Sequence, residues 1–95
     1  MWIVSMRMKI EASDEETERK SREGFEKFRA LEGLTQKYYI RNHETGELGG
    51  VYLFETKEAV DAYVNGPIVA SVAERFGVIG EVKLEVVEVL MTLDD

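Results

Sequence analysis

The chain contains no cysteine, a single histidine, a single tryptophan and a single proline in 95 residues. Without cysteine there is no thiol nucleophile, no disulfide framework and no thiolate metal site. His43 has no second nitrogen or sulfur ligand to join it, so neither a metal site nor metal catalysis is expected. A cysteine-free chain fits a reducing compartment, and the reading is cytoplasmic. Long apolar runs are missing too. The opening Met1–Ile10 alternates and carries Arg7 and Lys9, unlike a signal peptide or a membrane span. Basic residues are in the minority, 12 Lys and Arg against 19 Asp and Glu, for a formal net charge of −7. Such an excess repels phosphates and argues against nucleic acid or an anionic membrane as partner. It does not argue against a neutral or aromatic ligand.

What is present is the composition of an ordinary globular chain, 44% hydrophobic and 33% charged. Ninety-five residues suffice for one modest core, so residues 1–95 are read as one domain. Trp2, Val4, Met6, Met8 and Ile10 alternate with Ile3, Ser5, Arg7 and Lys9, the period of a strand. Ser13 and Glu16 are spaced as a capping box opening a helix that the pattern carries to about Ala30. Its outer face holds Glu–Arg and Glu–Lys pairs four apart, including Glu15–Arg19, Glu16–Lys20, Glu18–Arg22 and Glu23–Lys27. Gly33 is placed to cap its end.

Two β-rich runs, Leu34–Asn42 and Leu48–Glu55, flank the turn-forming His43-Glu44-Thr45-Gly46-Glu47 and predict a hairpin. Val51, Tyr52, Leu53 and Phe54 are consecutive, so both faces of that strand are apolar. Lys57–Val64 has helical spacing, Asn65-Gly66-Pro67 breaks it, and Pro67 suits the first position of a second helical piece that Gly77 and Gly80 close. Glu81–Met91 is the last strand, with Val82, Leu84 and Val86 giving way to Val87, Val89 and Met91; this change of parity predicts a bulge near Val86-Val87.

The order is β-α-β-β-α-β, an α+β ferredoxin-like fold with an antiparallel sheet and helices on one face. A chain this short covers only one side of the sheet. A twofold homodimer, sheet against sheet, is the simplest way to cover the other.

Glu32-Gly-Leu-Thr-Gln-Lys-Tyr-Tyr, Gly49-Gly-Val-Tyr-Leu-Phe-Glu, Ala59-Val-Asp-Ala-Tyr and Phe76-Gly-Val, followed by a valine-rich last strand, resemble the YdhR-type monooxygenase family over Glu32 to Met91. The resemblance implies a dimeric α+β barrel, in which two ferredoxin-like protomers enclose a cavity between their sheets. It implies a cofactor-independent oxygenase acting on a small aromatic, quinol-like substrate, with no cofactor. Gln36 stands where the family has tryptophan. The helical histidine of haem-degrading relatives has no counterpart, since His43 lies in the hairpin turn.

Lys37, Tyr39 and Arg41 share one face of their strand, and Tyr38 and Ile40 the other. If the odd face looks into the barrel, Lys37 and Tyr39 orient a phenolic substrate, joined by Tyr52 and by Arg7 from the first strand. These four are the candidate catalytic residues. Oxygenation without a cofactor needs a group that deprotonates or hydrogen-bonds an electron-rich substrate, and tyrosine, lysine or arginine near the oxyanion supplies it. The plainer role for Tyr38, Tyr39 and Tyr52 is cross-strand packing, worth about 0.2–1 kcal/mol per pair. Gly49-Gly50 is not followed by a Lys-Ser/Thr pair or a helix, which removes a phosphate-binding loop. Two functions are compatible with the residues: the oxygenase, and a non-catalytic barrel that binds an apolar metabolite or a protein.

Overall fold

The structure, a computed structural model, describes residues 1–94. Its elements are β1 (Trp2–Ile10), α1 (Asp14–Glu23), α2 (Phe25–Arg29), β2 (Leu34–Arg41), β3 (Leu48–Phe54), α3 (Lys57–Val64), α4 (Pro67–Phe76) and β4 (Val78–Glu88). The strands form a four-stranded sheet in the order β2-β3-β1-β4. Every neighbouring pair is antiparallel. This is the ferredoxin-like topology, with each helical crossover broken into two helices.

Period-2 alternation places the core. Val4, Met6 and Met8 of β1 are buried on the same face as Tyr52 and Phe54 of β3, since Val4 pairs with Tyr52 and Trp2 with Phe54. Phe28 of α2 and Val60 and Tyr63 of α3 close over them. Burying a side chain such as Phe54, Val4 or Val60 completely contributes about 1.5–3 kcal/mol. The opposite face carries Ile3, Val51 and Leu53, half-buried, and Val87, exposed.

Local chemistry sets the helix boundaries. The Ser13 side chain accepts a hydrogen bond from the Glu16 N–H at 3.2 Å, and the Thr56 hydroxyl caps α3 through the Ala59 N–H at 3.1 Å. Pro67 opens α4 and Gly77 ends it. The expected single helix to Ala30 is instead interrupted at Gly24, whose N–H donates to the Ser21 carbonyl at 3.1 Å, a tightened turn. Gly24 is buried, and a Cβ there would lie 3.6 Å from the Phe28 ring, so the break seats α2 close on the core. On the outer face Lys20 pairs with Glu16 and Arg22 with Glu18, while Arg19 turns to Glu23 rather than Glu15.

The last strand also departs from expectation. It begins at Val78, three residues before Glu81, and ends at Glu88 rather than Met91. The irregularity falls between the Arg7–Lys83 and Lys9–Ile79 pairs, where β4 spends two more residues than β1, and not at Val86-Val87. Gly80, at φ +77°, supplies the backbone conformation that the excursion requires. Val86 and Val87 stay in register with Val4 and Ile3, so the valine run is a two-faced strand and not a change of parity. The hairpin turn is internally tied: the Asn42 side-chain oxygen accepts from the Glu44 and Thr45 N–H groups at 2.9 and 3.2 Å. No helix among the described residues is long and apolar enough to cross a membrane.

Candidate functional site

The site is decided by one irregularity in β2. Leu34 pairs with Phe54, but the register then shifts, so that Gln36 meets Leu53, Lys37 meets Tyr52 and Tyr39 meets Gly50. An extra residue in one strand exchanges the faces of everything beyond it. Lys37 and Tyr39 therefore point with Tyr52 to the helix side. They line a cavity of about 110 Å³ between sheet and helices, floored by Met6 and Met8 and roofed by Phe28, Tyr63, Val72 and Arg75. The condition that the odd face of this strand looks across the open side of the sheet is not met: Lys37 and Tyr39 look to the helix side, and this cavity is lined by one chain.

Lys37 is the centre of the arrangement. Its Nζ stands 3.5 Å from the Phe28 ring centroid, 4.1 Å from that of Tyr39 and 4.9 Å from that of Tyr52. Burial, reinforced by the positive charge of Arg75, pushes its pKa down from 10.5 to about 7. The ring faces attract the protonated form and work against that depression. At neutral pH the group is available both as an amine and as an ammonium ion. Around it, burial pushes the Tyr52 and Tyr63 hydroxyls up, so both stay protonated donors. Tyr39, 44% exposed, stands where the cavity meets solvent, and partial burial raises its pKa as well. Gly50 makes room: a Cβ there would lie 3.0 Å from the Tyr52 hydroxyl and 3.1 Å from Lys37 Cε.

Arg7, the fourth candidate, is not in this group. It lies opposite Gly49 and Lys83 and approaches Glu47 Oε1 at 4.0 Å. The Lys83 ammonium, 2.9 Å from Glu47 Oε2, holds that buried carboxyl below its usual range. Arg7 thus belongs to a charge cluster beside the hairpin turn. Gln36 is exposed, and its side-chain oxygen accepts from the Lys37 N–H at 2.9 Å. His43 is exposed in the turn and outside the cavity lining. Among the described residues no three of His, Cys, Asp and Glu cluster as metal ligands would.

Two groups of the site escape the reading of the sequence. Tyr63 looks like ordinary core on the inward face of its helix. Arg75 sits seven residues after Ile68 and three after Val72, on the apolar stripe of α4, and that misplaced charge is the signal that could have found it.

No curated protein matches the chain in sequence. Solved structures share its fold. NE2512, a protein of unknown function from Nitrosomonas europaea, aligns with a TM-score of 0.74 at 18% identity, covering 96% of this chain and 90% of that one. SnoaB, a cofactor-independent oxygenase from Streptomyces nogalater, aligns at 0.74 and 11% identity, covering 99% and 97%. A MhuD variant with two manganese protoporphyrin IX bound per active site aligns at 0.76 and 20% identity, covering 100% of both chains. At these identities the likeness speaks for the fold alone. Sequence adds the family: residues 1–94 match the one described as "Putative mono-oxygenase ydhR", and the chain belongs to it.

Proposed function

We propose that the protein is a cofactor-independent monooxygenase that oxidises a small phenolic or quinol-like aromatic in the cavity between sheet and helices. The observation that carries this reading is the Lys37 amine, with its pKa pushed down to about 7, enclosed by the Phe28, Tyr39 and Tyr52 rings. A flat aromatic fits among such rings, and the neutral amine is a base near the operating pH.

The chemistry follows from that placement. Lys37 takes a proton from the substrate, and the resulting carbanion, delocalised onto its oxygen, transfers one electron to O₂. The radical pair combines to form a C–O bond. The peroxide takes up a proton from the Lys37 ammonium and loses water, leaving a carbonyl where a ring C–H stood. One oxygen atom enters the product and the other leaves as water, and all four electrons come from the substrate. The Tyr52 hydroxyl, kept protonated and accepting a hydrogen bond from Tyr63, donates to the developing oxyanion.

The reading includes a second copy of the chain. Ile3, Val51, Leu53, Val87 and Tyr38 form an apolar patch on the uncovered sheet face, and a twofold pairing of that face with itself removes the patch from water.

Oxygen uptake with a panel of anthrones and hydroquinones tests the chemistry. Wild-type protein is expected to consume O₂ above a heat-killed control, and Lys37→Met to lose about a hundredfold or more, the share of a general base. No uptake on any member of the panel overturns the oxygenase and leaves a binding pocket.

A further inference from the structure

We infer that the ligand of this cavity is an aromatic acid: a ring that presents a phenol to Lys37 and, separately, a carboxylate to the guanidinium of Arg75. The inference rests on the cavity being the substrate pocket and not on the oxygen chemistry proposed for it.

The cavity is a positive site in an acidic protein. Among the described residues no aspartate or glutamate lines it, whereas Lys20, Lys37 and Arg75 do. Lys20 is engaged elsewhere: its ammonium lies 3.2 Å from Glu16 Oε1 and donates to the Arg75 carbonyl at 2.8 Å. Arg75 forms no ion pair among the described residues, and its Nη1 is buried with no hydrogen-bond partner. A guanidinium always carries its charge, and leaving the buried Nη1 donor of this partly buried residue unmet costs stability that a bound anion restores. Stacking on Phe76, with Cζ 5.2 Å from the ring centroid, holds the group in place. Lys37 and Arg75 approach from different elements, β2 and α4, so two separate polar ends of one ligand meet them.

The chemistry of the lining selects a carboxylate over a phosphate. One planar guanidinium suits one planar two-oxygen anion, and apart from Lys20 and the hydroxyls of Thr17, Ser21 and the tyrosines the wall is methionine, aliphatic and aromatic. A phosphate ester carries a third oxygen that this fork does not reach, and Lys20 and the Thr17 hydroxyl are already committed to Glu16, the Arg75 carbonyl and the Ser13 carbonyl. The net charge of −7 does not prevent entry, because exposed charges are screened beyond about 8–10 Å at physiological salt while Arg75 acts at contact.

Calorimetric titration with para-hydroxybenzoate and with its methyl ester separates the carboxylate from the rest of the ligand. The acid is expected to bind about tenfold or more tightly than the ester. Arg75→Gln should bring the acid down to the level of the ester and leave the ester unchanged, and Arg75→Lys should keep part of the preference. Thermal melting of each variant checks that it is folded. Equal affinities for acid and ester, an unchanged acid affinity in folded Arg75→Gln, or no binding of the acid to the wild-type protein overturns the inference. Should acid binding depend on Arg75 while no oxygen uptake is found, the oxygenase reading falls and this one stands. Uptake on neutral anthrones without any preference for the acid does the reverse.

Discussion

The Lys37 ammonium nitrogen stands 3.5 Å from the Phe28 ring centroid, on the buried side of an edge strand, with no carboxylate among the described residues to pair it. A lysine so placed makes stability depend on pH in an unusual direction. Its folded pKa is about 7 and its ordinary value 10.5, so between those limits the unfolded chain binds more protons than the folded one. Stability therefore rises with pH across that window, and below about pH 7 both states are protonated and the full penalty of the buried charge applies. Above about pH 10 the trend reverses, because Tyr52 and Tyr63 ionise more easily in the unfolded chain. Thermal melts should show the midpoint climbing from about pH 6.5 to 9.5. Lys37→Met should melt higher than wild type at the acid end and converge with it at the alkaline end. Parallel profiles for the two proteins would place the amine in water.

Adjacent glycines of β3 should behave very differently. A Cβ on Gly49 would lie 1.8 Å from the Met6 carbonyl oxygen, a backbone atom that cannot yield without parting β1 from β3. Gly49→Ala is expected to cost about 3 kcal/mol or more, measured by urea unfolding. On Gly50 the nearest atoms are the Tyr52 hydroxyl and Lys37 Cε, the ends of movable side chains. Gly50→Ala should stay folded, cost about 1–2 kcal/mol, and weaken ligand binding by displacing the Lys37 and Tyr52 side chains that line the cavity. A Gly50→Ala protein that binds as wild type does would show that Lys37 and Tyr52 keep their places beside the new methyl group.

Most of the frame was legible because local signals agreed with tertiary packing. Ser13, Pro67, Gly77 and the two-faced Val51–Phe54 run each name a cap, a break or a doubly apolar strand. The site was legible in composition and not in orientation. Lys37, Tyr39 and Tyr52 do line one cavity, but the shift after Leu34 turns the odd positions of β2 toward the helices, and nothing in Leu34-Thr35-Gln36 announces it. Arg7 drops out for a related reason: in the unbroken register of β1 it faces away from Met6 and Met8. The break at Gly24 was hidden because a single glycine inside a helical pattern is often tolerated, and its contact with Phe28 is tertiary.

That separation of Arg7 from the cavity can be measured. Arg7→Gln should leave ligand affinity and any oxygen uptake within about twofold of wild type, since distant sites without shared partners behave independently. Its neighbour should respond to acid. Lys83 keeps the Glu47 carboxyl below its usual pKa, so the stability that this carboxylate contributes is present above about pH 4.5 and is lost as pH falls through the depressed value. Lys83→Gln should move the acid-unfolding midpoint to higher pH. An unmoved midpoint would mean that Glu47 is held by Thr45 and the turn alone.

The uncovered face of the sheet gives the last test. Leu53 pairs with Ile3, which pairs in turn with Val87, and Val51 pairs with Tyr38, so apolar side chains cross this face from β2 to β4, bordered by Ser5 and Glu85. Tyr38 is 54% and Val87 42% exposed, and beyond β4 the apolar Leu90, Met91 and Leu93 reach 84%, 83% and 98%. Apolar surface of this kind is expected to be covered by a partner, and a second copy offers the matching surface. Native mass spectrometry should find a dimer at micromolar concentration. Leu53→Asp should yield a monomer, because a carboxylate between Ile3 and Gln36 must be taken out of water for the faces to pair. The cavity lies on the other side of the sheet, lined by residues of one chain, so para-hydroxybenzoate should bind the Leu53→Asp monomer nearly as well as the dimer. A wild-type monomer would mean that this face meets water or another partner. A monomeric variant that is folded yet cannot bind would instead show that pairing shapes the cavity through the sheet.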